Sequence, residues 1–357
     1  MIKILHSADW HLDSPLQGHT PEQTTRLRQA LLQLPGKITA LCRTHNCDLL
    51  LLSGDLFDGR CSEESYRTVY DALEEAGIPV FISPGNHDPL GAESPWQTRL
   101  WPANVHIFTK NQPDSVAVPH LDCRVYGAGF TGMDCPGLLE GFRAEQLERY
   151  AIGVFHGDPT QVSSHYCPIT AQQVKDSQLD YLALGHIHKG DSFRQGNTLC
   201  AWPGCPMGRG YDEGGEKGVL LVTIDDTAQA QFIPLDTPRF HDLQVVAGDD
   251  PMQTLGGVLP AIGNEDFYRI TFTGTSAGLD LNALQQQLPQ FPNLILRDRT
   301  TAPVDIWGSA DADTFEGMYF KLLKDAMETP DEQTRQTVLL AAKLSRQILD
   351  GQEVVLP

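Results

Sequence analysis

Ile4-Leu5-His6-Ser7-Ala8-Asp9-Trp10-His11-Leu12 and Asp48-Leu49-Leu50-Leu51-Leu52-Ser53-Gly54-Asp55-Leu56-Phe57-Asp58 decide the fold. Each is a short, bounded apolar run, which reads as a buried strand. Each ends in polar residues able to hold a cation. The pattern recurs three more times. Ile78 to Ser83 leads into Gly85-Asn86-His87-Asp88, Ala151 to Phe155 into His156-Gly157, and Tyr181 to Leu184 into Gly185-His186-Ile187-His188. Loops at one edge of a sheet converge there while the strands hold them rigid.

Between these runs lie helices. Glu22 to Arg43 reads as mostly helical, with an interruption at Pro35-Gly36 left open. Ser62 caps a helix running to about Ala76, with Glu64 and Ser65 in its first turn. A further helix lies near Ala171. Val105 to Phe108, Ser115 to Val118, Cys123 to Tyr126, Thr198 to Trp202, Gly218 to Ile224 and Gln229 to Ile233 read as additional strands. Alternating strands and helices, followed by hairpins, predict an α/β fold: a sandwich of two sheets flanked by helices. That core spans residues 1–237.

Beyond Thr237-Pro238 the character changes. Phe240 to Val246, Phe267 to Phe272 and Asn293 to Arg297 read as strands, with helices at Met252 to Ile262 and Leu279 to Leu288. Residues 238–308 are therefore expected to form a small α+β capping domain over the site. Residues 309–357 read as two amphipathic helices. Phe315, Met318, Tyr319, Leu322, Leu323 and Ala326 follow one face of the first. Thr329-Pro330-Asp331-Glu332 supplies a cap, a proline at the first helical position and a capping-box glutamate for the second. Val338, Leu339, Ala342, Leu344 and Ile348 form its stripe.

Composition sets limits. With 41% hydrophobic and 20% charged residues, the chain is an ordinary globular one. No run approaches the roughly 18 apolar residues of a membrane span, so no membrane is expected, nor does the start resemble a signal peptide. The eight scattered cysteines include no Cys-x-x-Cys pair and read as reduced thiols. A cytoplasmic location is the expectation. The net charge of -20 opposes independent binding of long nucleic acid, which needs Lys and Arg against phosphate. Bound divalent ions reverse that field locally, and a partner can supply basic surface.

The polar residues make a coherent donor set. Asp9 and His11 share a face of an extended segment. Asp55 follows Gly54, whose backbone freedom permits close approach to an ion, and its two oxygens could bridge two metals. Asn86 adds a carbonyl oxygen, and His156, His186 and His188 add imidazoles. Mixed oxygen and nitrogen donors suit Mn, Fe or Zn better than Mg or Ca. His87 is placed to protonate a leaving oxygen, with Asp88 fixing its tautomer. Alone, each fragment is an ordinary turn; five in order, each after an apolar strand, are not. His165 and Asp158 lie near the His156 loop, and Arg209, between two glycines, is a weaker candidate for a phosphate contact.

These segments resemble the calcineurin-like metallophosphoesterase superfamily over about residues 1–235. The opening motif, Ser53 to Asp58 and Trp202-Pro203-Gly204-Cys205-Pro206 are similar to SbcD-type bacterial DNA repair exonucleases and their YhaO-like relatives, with Cys205 where serine is usual. The resemblance implies one metal held by Asp9, His11, Asp55 and His188, and a second by Asp55, Asn86, His156 and His186. It implies His87 as catalytic histidine and manganese as the usual ion. It also implies DNA as substrate and a coiled-coil ATPase of the chromosome-maintenance (SMC) type as partner, docked on the C-terminal helices. A homodimer stays open. The expected reaction is phosphodiester hydrolysis by in-line attack of water, with His87 assisting the leaving oxygen. Two rivals remain: a phosphodiesterase or phosphatase acting on small molecules or phosphoproteins, and a non-catalytic scaffold protein.

Overall fold

The strand that opens the chain, β1 (Ile2–Ser7), is hydrogen-bonded on both sides and buried on both faces. The computed structural model describes residues 1–303, 305–328 and 331–351. Its first six-stranded sheet contains β1, β2 (Leu49–Leu52), β3 (Val80–Ile82), β4 (Val105–Ile107), β11 (Gly218–Ile224) and β12 (Ala228–Pro234), ordered β12-β11-β1-β2-β3-β4. The second contains β5 (Asp114–Val118), β6 (Cys123–Gly127), β7 (Tyr150–His156), β8 (Tyr181–Gly185), β9 (Lys189–Gln195) and β10 (Thr198–Gly204), ordered β5-β6-β7-β8-β10-β9. β1 to β4 run parallel in one sheet, and β6, β7, β8 and β10 in the other. Parallel strands place their following loops at the same edge.

The two-residue period of a strand divides the core. Ile2, Ile4, Leu49 and Leu51 meet Val125, Ile152, Val154 and Tyr181 between the sheets. Leu5, Leu50 and Leu52 face the other way, against Leu27, Leu31, Leu34 and Ile38 of α1 (Pro21–His45) and Val69 and Leu73 of α2 (Glu63–Ala76). The outer face of the second sheet packs Phe155, Leu182 and Leu184 under Val174 of α4 (Ala171–Ser177). The predicted two-sheet α/β architecture is thus present.

Some boundaries differ from the sequence reading. α1 runs through Pro35 without interruption. A mid-helix proline costs about 3 kcal/mol, but Leu31, Leu34 and Ile38 are fully buried on either side of it, each contributing roughly 1.5–3 kcal/mol. β9 was not predicted: its residues are largely exposed and polar, so no alternation betrays them. Pro95–Thr98 adds a short helix, α3. α5 (Pro251–Gly256) and α6 (Leu281–Gln286) are shorter than expected, and Gly256-Gly257 stands where the first ends.

The chain divides into two compact units. The first comprises Met1–Leu243, Pro260–Ile270 and Gln285–Leu296 and holds both six-stranded sheets. The second comprises Gln244–Leu259, Thr271–Leu284 and the described residues from Arg297 onward. β13 (Phe240–Val246), β14 (Phe267–Thr273) and β15 (Leu294–Asp298) form a three-stranded sheet in that order. In the second unit α7 (Phe315–Ala326) and α8 (Glu332–Leu349) close on a small core of Phe320, Ala342 and Ala310. The expected cap at Thr329-Pro330 lies outside the described residues; the cap of α8 is Asp331, which accepts from the Thr334 N–H at 3.0 Å. Among the described residues, no helix is long and apolar enough to cross a membrane.

Candidate metal centre

All seven residues expected to hold metal stand at the edge where β1, β2, β3, β7 and β8 end. Their loops are tied together by backbone. The Asp9 N–H donates to Gly54 O at 3.0 Å, and the His11 N–H to Asp55 O at 3.0 Å. Asp9, His11, Asp55 and His186 all have positive φ, at 54°, 50°, 53° and 94°. Such backbone costs roughly 1–3 kcal/mol per non-glycine residue and clusters at functional sites. Gly85 is required by proximity: a Cβ there would overlap the Asp55 carboxylate.

The ring nitrogens show which electron pairs converge. His156 Nδ1 donates to Ser53 O at 2.8 Å. A neutral ring then turns the bare pair of Nε2 toward Asn86 Oδ1 at 2.9 Å and Asp55 Oδ2 at 3.3 Å, both also acceptors. His188 Nδ1 donates to Glu213 Oε1 at 2.7 Å, which leaves its Nε2 bare, 3.1 Å from His11 Nε2. The buried His11 Nδ1 has no hydrogen-bond partner among the described residues. His186 Nδ1 lies 3.2 Å from Asn86 Oδ1, and its N–H donates to the Asp9 carboxylate. Ligand atoms of Asp9, His11 and His188 lie within 4.8 Å of one another, as do those of Asp9, Asp55 and His156. Acceptors aimed at acceptors in a dry site are unfavourable unless a positive charge sits between them.

The acid-base shifts tell the same story. Burial works to lower His156, but Asp55 outweighs it and raises the ring to about 9. A cation between them would take that proton's place. Burial pushes His11 down to about 3 and His186, also facing His156, down to about 4. Burial works to raise the Asp55 carboxyl, yet His156, His11 and His87 hold it well below the usual range. Asp55 differs from its expected role in one respect. Its Oδ1 accepts from the His87 N–H at 2.8 Å, so a single oxygen, Oδ2, faces both His156 and His11.

His87 is half-buried, its ring edge-on to His11 with centroids 4.7 Å apart. It borders a cleft of ≈ 750 Å³ that also includes Asp13, Arg60 and Arg99. The expected partner of its Nδ1 was Asp88; the partner found is Asp58, whose Oδ1 accepts at 2.8 Å. Asp58 raises the His87 pKa above the ordinary value. The Asp88 carboxylate is buried and turned to backbone, accepting from the N–H groups of Asp55, Leu56, Phe57 and Gly85 at 2.7–3.2 Å. It clamps the loop after β2 to the loop after β3. Sequence adjacency favoured Asp88, but consecutive residues diverge, and Asp58 arrives from the loop after the neighbouring strand, β2.

Arg209 also differs from its expectation. Its Nη2 donates to Glu213 Oε1 at 2.7 Å and its Nη1 lies 3.6 Å from Asp58 Oδ2, so carboxylates already hold it. Asp158 accepts from the Thr160 N–H at 2.8 Å and closes its own loop. From that same loop Tyr166, rather than His165, reaches the site, its ring 4.7 Å from that of His186.

A sequence model of the calcineurin-like phosphoesterase family matches residues 2–190. The chain belongs to this family. YhaO of Bacillus subtilis, an uncharacterized metallophosphoesterase, is 33% identical over 256 residues, which cover 68% of this chain and 61% of that protein. The SbcD component of the SbcCD nuclease of Rhodobacter capsulatus is 33% identical over 294 residues, covering 66% of this chain and 70% of that protein. Its Escherichia coli counterpart is 24% identical over 292 residues, covering 70% and 71%. The chain thus spans about three fifths of the first relative's length and about seven tenths of the others'. Among solved structures, a dimetal phosphatase from Danio rerio aligns with a TM-score of 0.43 and 12% identity, over 65% of this chain and 96% of that one.

Calcineurin-like phosphoesterases use a dinuclear metal centre, and the chain presents candidate residues for one. The donor set fits: oxygen and imidazole ligands in a buried cluster, bare pairs converging, and glycine at the closest approach.

Proposed function

We propose that this phosphoesterase hydrolyses DNA phosphodiester bonds with two manganese ions, as an exonuclease or endonuclease of DNA repair working with a coiled-coil ATPase. The observation that carries the metal reading is the convergence of acceptor atoms from Asp9, His11, Asp55, Asn86, His156, His186 and His188. Two divalent ions, when bound, supply neutralisation of phosphate charge and acidification of water. The chain's own residues do the rest. Asp9, His11, Asp55 and His188 would hold one ion, and Asp55, Asn86, His156 and His186 the other. His87 keeps a proton on Nδ1 through Asp58 and presents Nε2 to the leaving oxygen. Asp88 keeps the Asp55 and Asn86 loops in register.

The substrate and partner draw support from the relatives named as components of the SbcCD nuclease. An exposed stripe on α7, with Phe315 at 89%, Met318 at 63% and Leu322 at 70%, offers a partner an apolar surface. The net charge of -20 favours a second reading, hydrolysis of a small phosphodiester or a phosphoprotein at the same site.

The test is Mn²⁺-dependent cleavage of linear double- and single-stranded DNA, run beside bis-p-nitrophenyl phosphate, with wild type and His87→Ala. DNA degradation lost in the variant supports the nuclease. Model-diester cleavage with DNA left intact, even with an ATPase partner added, removes it and leaves the second reading. No metal-dependent cleavage of either substrate removes both.

A further inference from the structure

Two of the histidines described above do not stand alone on their outer nitrogens. His188 Nδ1 donates to Glu213 Oε1 at 2.7 Å, and His87 Nδ1 to Asp58 Oδ1 at 2.8 Å. One guanidinium spans both carboxylates. Arg209 Nη2 and Nε donate to Glu213 at 2.7 and 3.3 Å, the Arg209 N–H donates to Glu213 Oε2 at 2.8 Å, and Nη1 lies 3.6 Å from Asp58 Oδ2. The chain His188–Glu213–Arg209–Asp58–His87 therefore crosses the site from one side to the other. Arg209 and Glu213 follow β10, which runs parallel to β8 and so delivers its loop to the same edge as His186 and His188.

We propose that Glu213 and Arg209 are positioning residues that set two histidines at once. This rests on the metal-centre reading above. Glu213 holds the proton of His188 on Nδ1, so that Nε2 always faces His11 and Asp9 as a bare ligand. Without Glu213 the neutral ring is free to carry its proton on Nε2, the nitrogen that must bind the ion. Arg209 fixes Glu213 through a two-pronged contact and, through Nη1, draws Asp58 toward the same point. A planar fork suits two carboxylates in a way an ammonium does not. Ion binding at His188 and proton donation at His87 thereby share one support.

The experiment titrates Mn²⁺ into wild type, Glu213→Ala, Glu213→Gln and Arg209→Lys, following free Mn²⁺ by electron paramagnetic resonance, with melting temperatures in parallel. Glu213→Ala should weaken one of two sites by about 10–100-fold and leave the other within about threefold. Glu213→Gln should recover part of that loss, because its amide oxygen still accepts from His188 Nδ1. Arg209→Lys, which leaves Asp58 less firmly held, should lose more activity on a diester with an alkyl leaving group than on one releasing p-nitrophenolate. The proposal is overturned if both sites weaken equally in step with the melting temperature, if glutamine does no better than alanine, or if Arg209→Lys affects both leaving groups alike. A wild type that binds no Mn²⁺ overturns the metal-centre reading itself. Two unaltered sites in Glu213→Ala overturn only the positioning role.

Discussion

Three side chains, two at the His87 loop and one in the core beneath it, each give a distinct expectation. Proton donation by His87 matters most when the leaving oxygen is a poor one. His87→Ala should cost about 10²–10⁴ in rate on an alkyl diester and much less on bis-p-nitrophenyl phosphate; equal losses would deny it the acid role. Asp88 acts through backbone. Asp88→Asn exchanges an oxygen acceptor for an N–H₂ group that faces N–H donors, and should lower stability by ~1.5–3 kcal/mol in urea unfolding. His6 lies elsewhere, buried between Tyr181 Oη at 2.7 Å and Ser53 Oγ at 2.5 Å. Burial lowers its pKa from the ordinary 6.5 to about 3. Below 6.5 the unfolded chain gains a proton that the folded one refuses, so its contribution is complete above that pH and is lost as pH falls toward 3. The drop in urea midpoint between about pH 7 and 5 should therefore shrink in His6→Gln. At this scale the sequence announced the residues at strand ends but not the pairing of His87 with Asp58 or of His188 with Glu213, partners 29 and 25 positions apart in the chain.

Among the elements, α7 shows what periodicity can and cannot tell. The apolar stripe from Phe315 to Ala326 predicted the helix itself, whose Thr314 cap accepts from the Gly317 N–H. It did not predict the buried face. Phe320, outside the stripe, is fully buried with Leu323 packed at its side, while Phe315, Met318 and Leu322 face outward. An apolar stripe marks a face that wants cover, not which molecule covers it. Replacing Phe315, Met318 and Leu322 with serine should change stability by no more than about 0.5 kcal/mol each while abolishing capture by a coiled-coil ATPase. Phe320→Ala should cost about 3–5 kcal/mol locally, read as faster amide exchange in α7 and α8. Swapped outcomes would reverse the two faces. Strands were legible where buried on both sides, as β2 was, and invisible where solvated, as β9 was. Pro35 left the course of α1 open in the sequence because its local penalty shows there and the burial of Leu31, Leu34 and Ile38 that outweighs it does not.

For the molecule as a whole, the charge of -20 and the cluster of carboxylates at one edge pull in the same direction. Divalent ions relieve that repulsion, so Mn²⁺ should raise the melting temperature and EDTA reverse it; at 100 times the dissociation constant the gain is about 2.7 kcal/mol per ion. Unchanged melting would mean that the edge binds no ion. Asp9, His11, Asp55 and Asn86 follow strands of the first sheet; His156 ends a strand of the second, and His186 and His188 follow another. Neither sheet carries the whole set. A growing chain on the ribosome has the donors of the first sheet early, but it lacks the full imidazole set of the second until His188 has emerged and the sheets have docked. The order of synthesis thus withholds the complete donor set until both sheets are in place, so a fragment that ends before His188 would offer an ion only part of it.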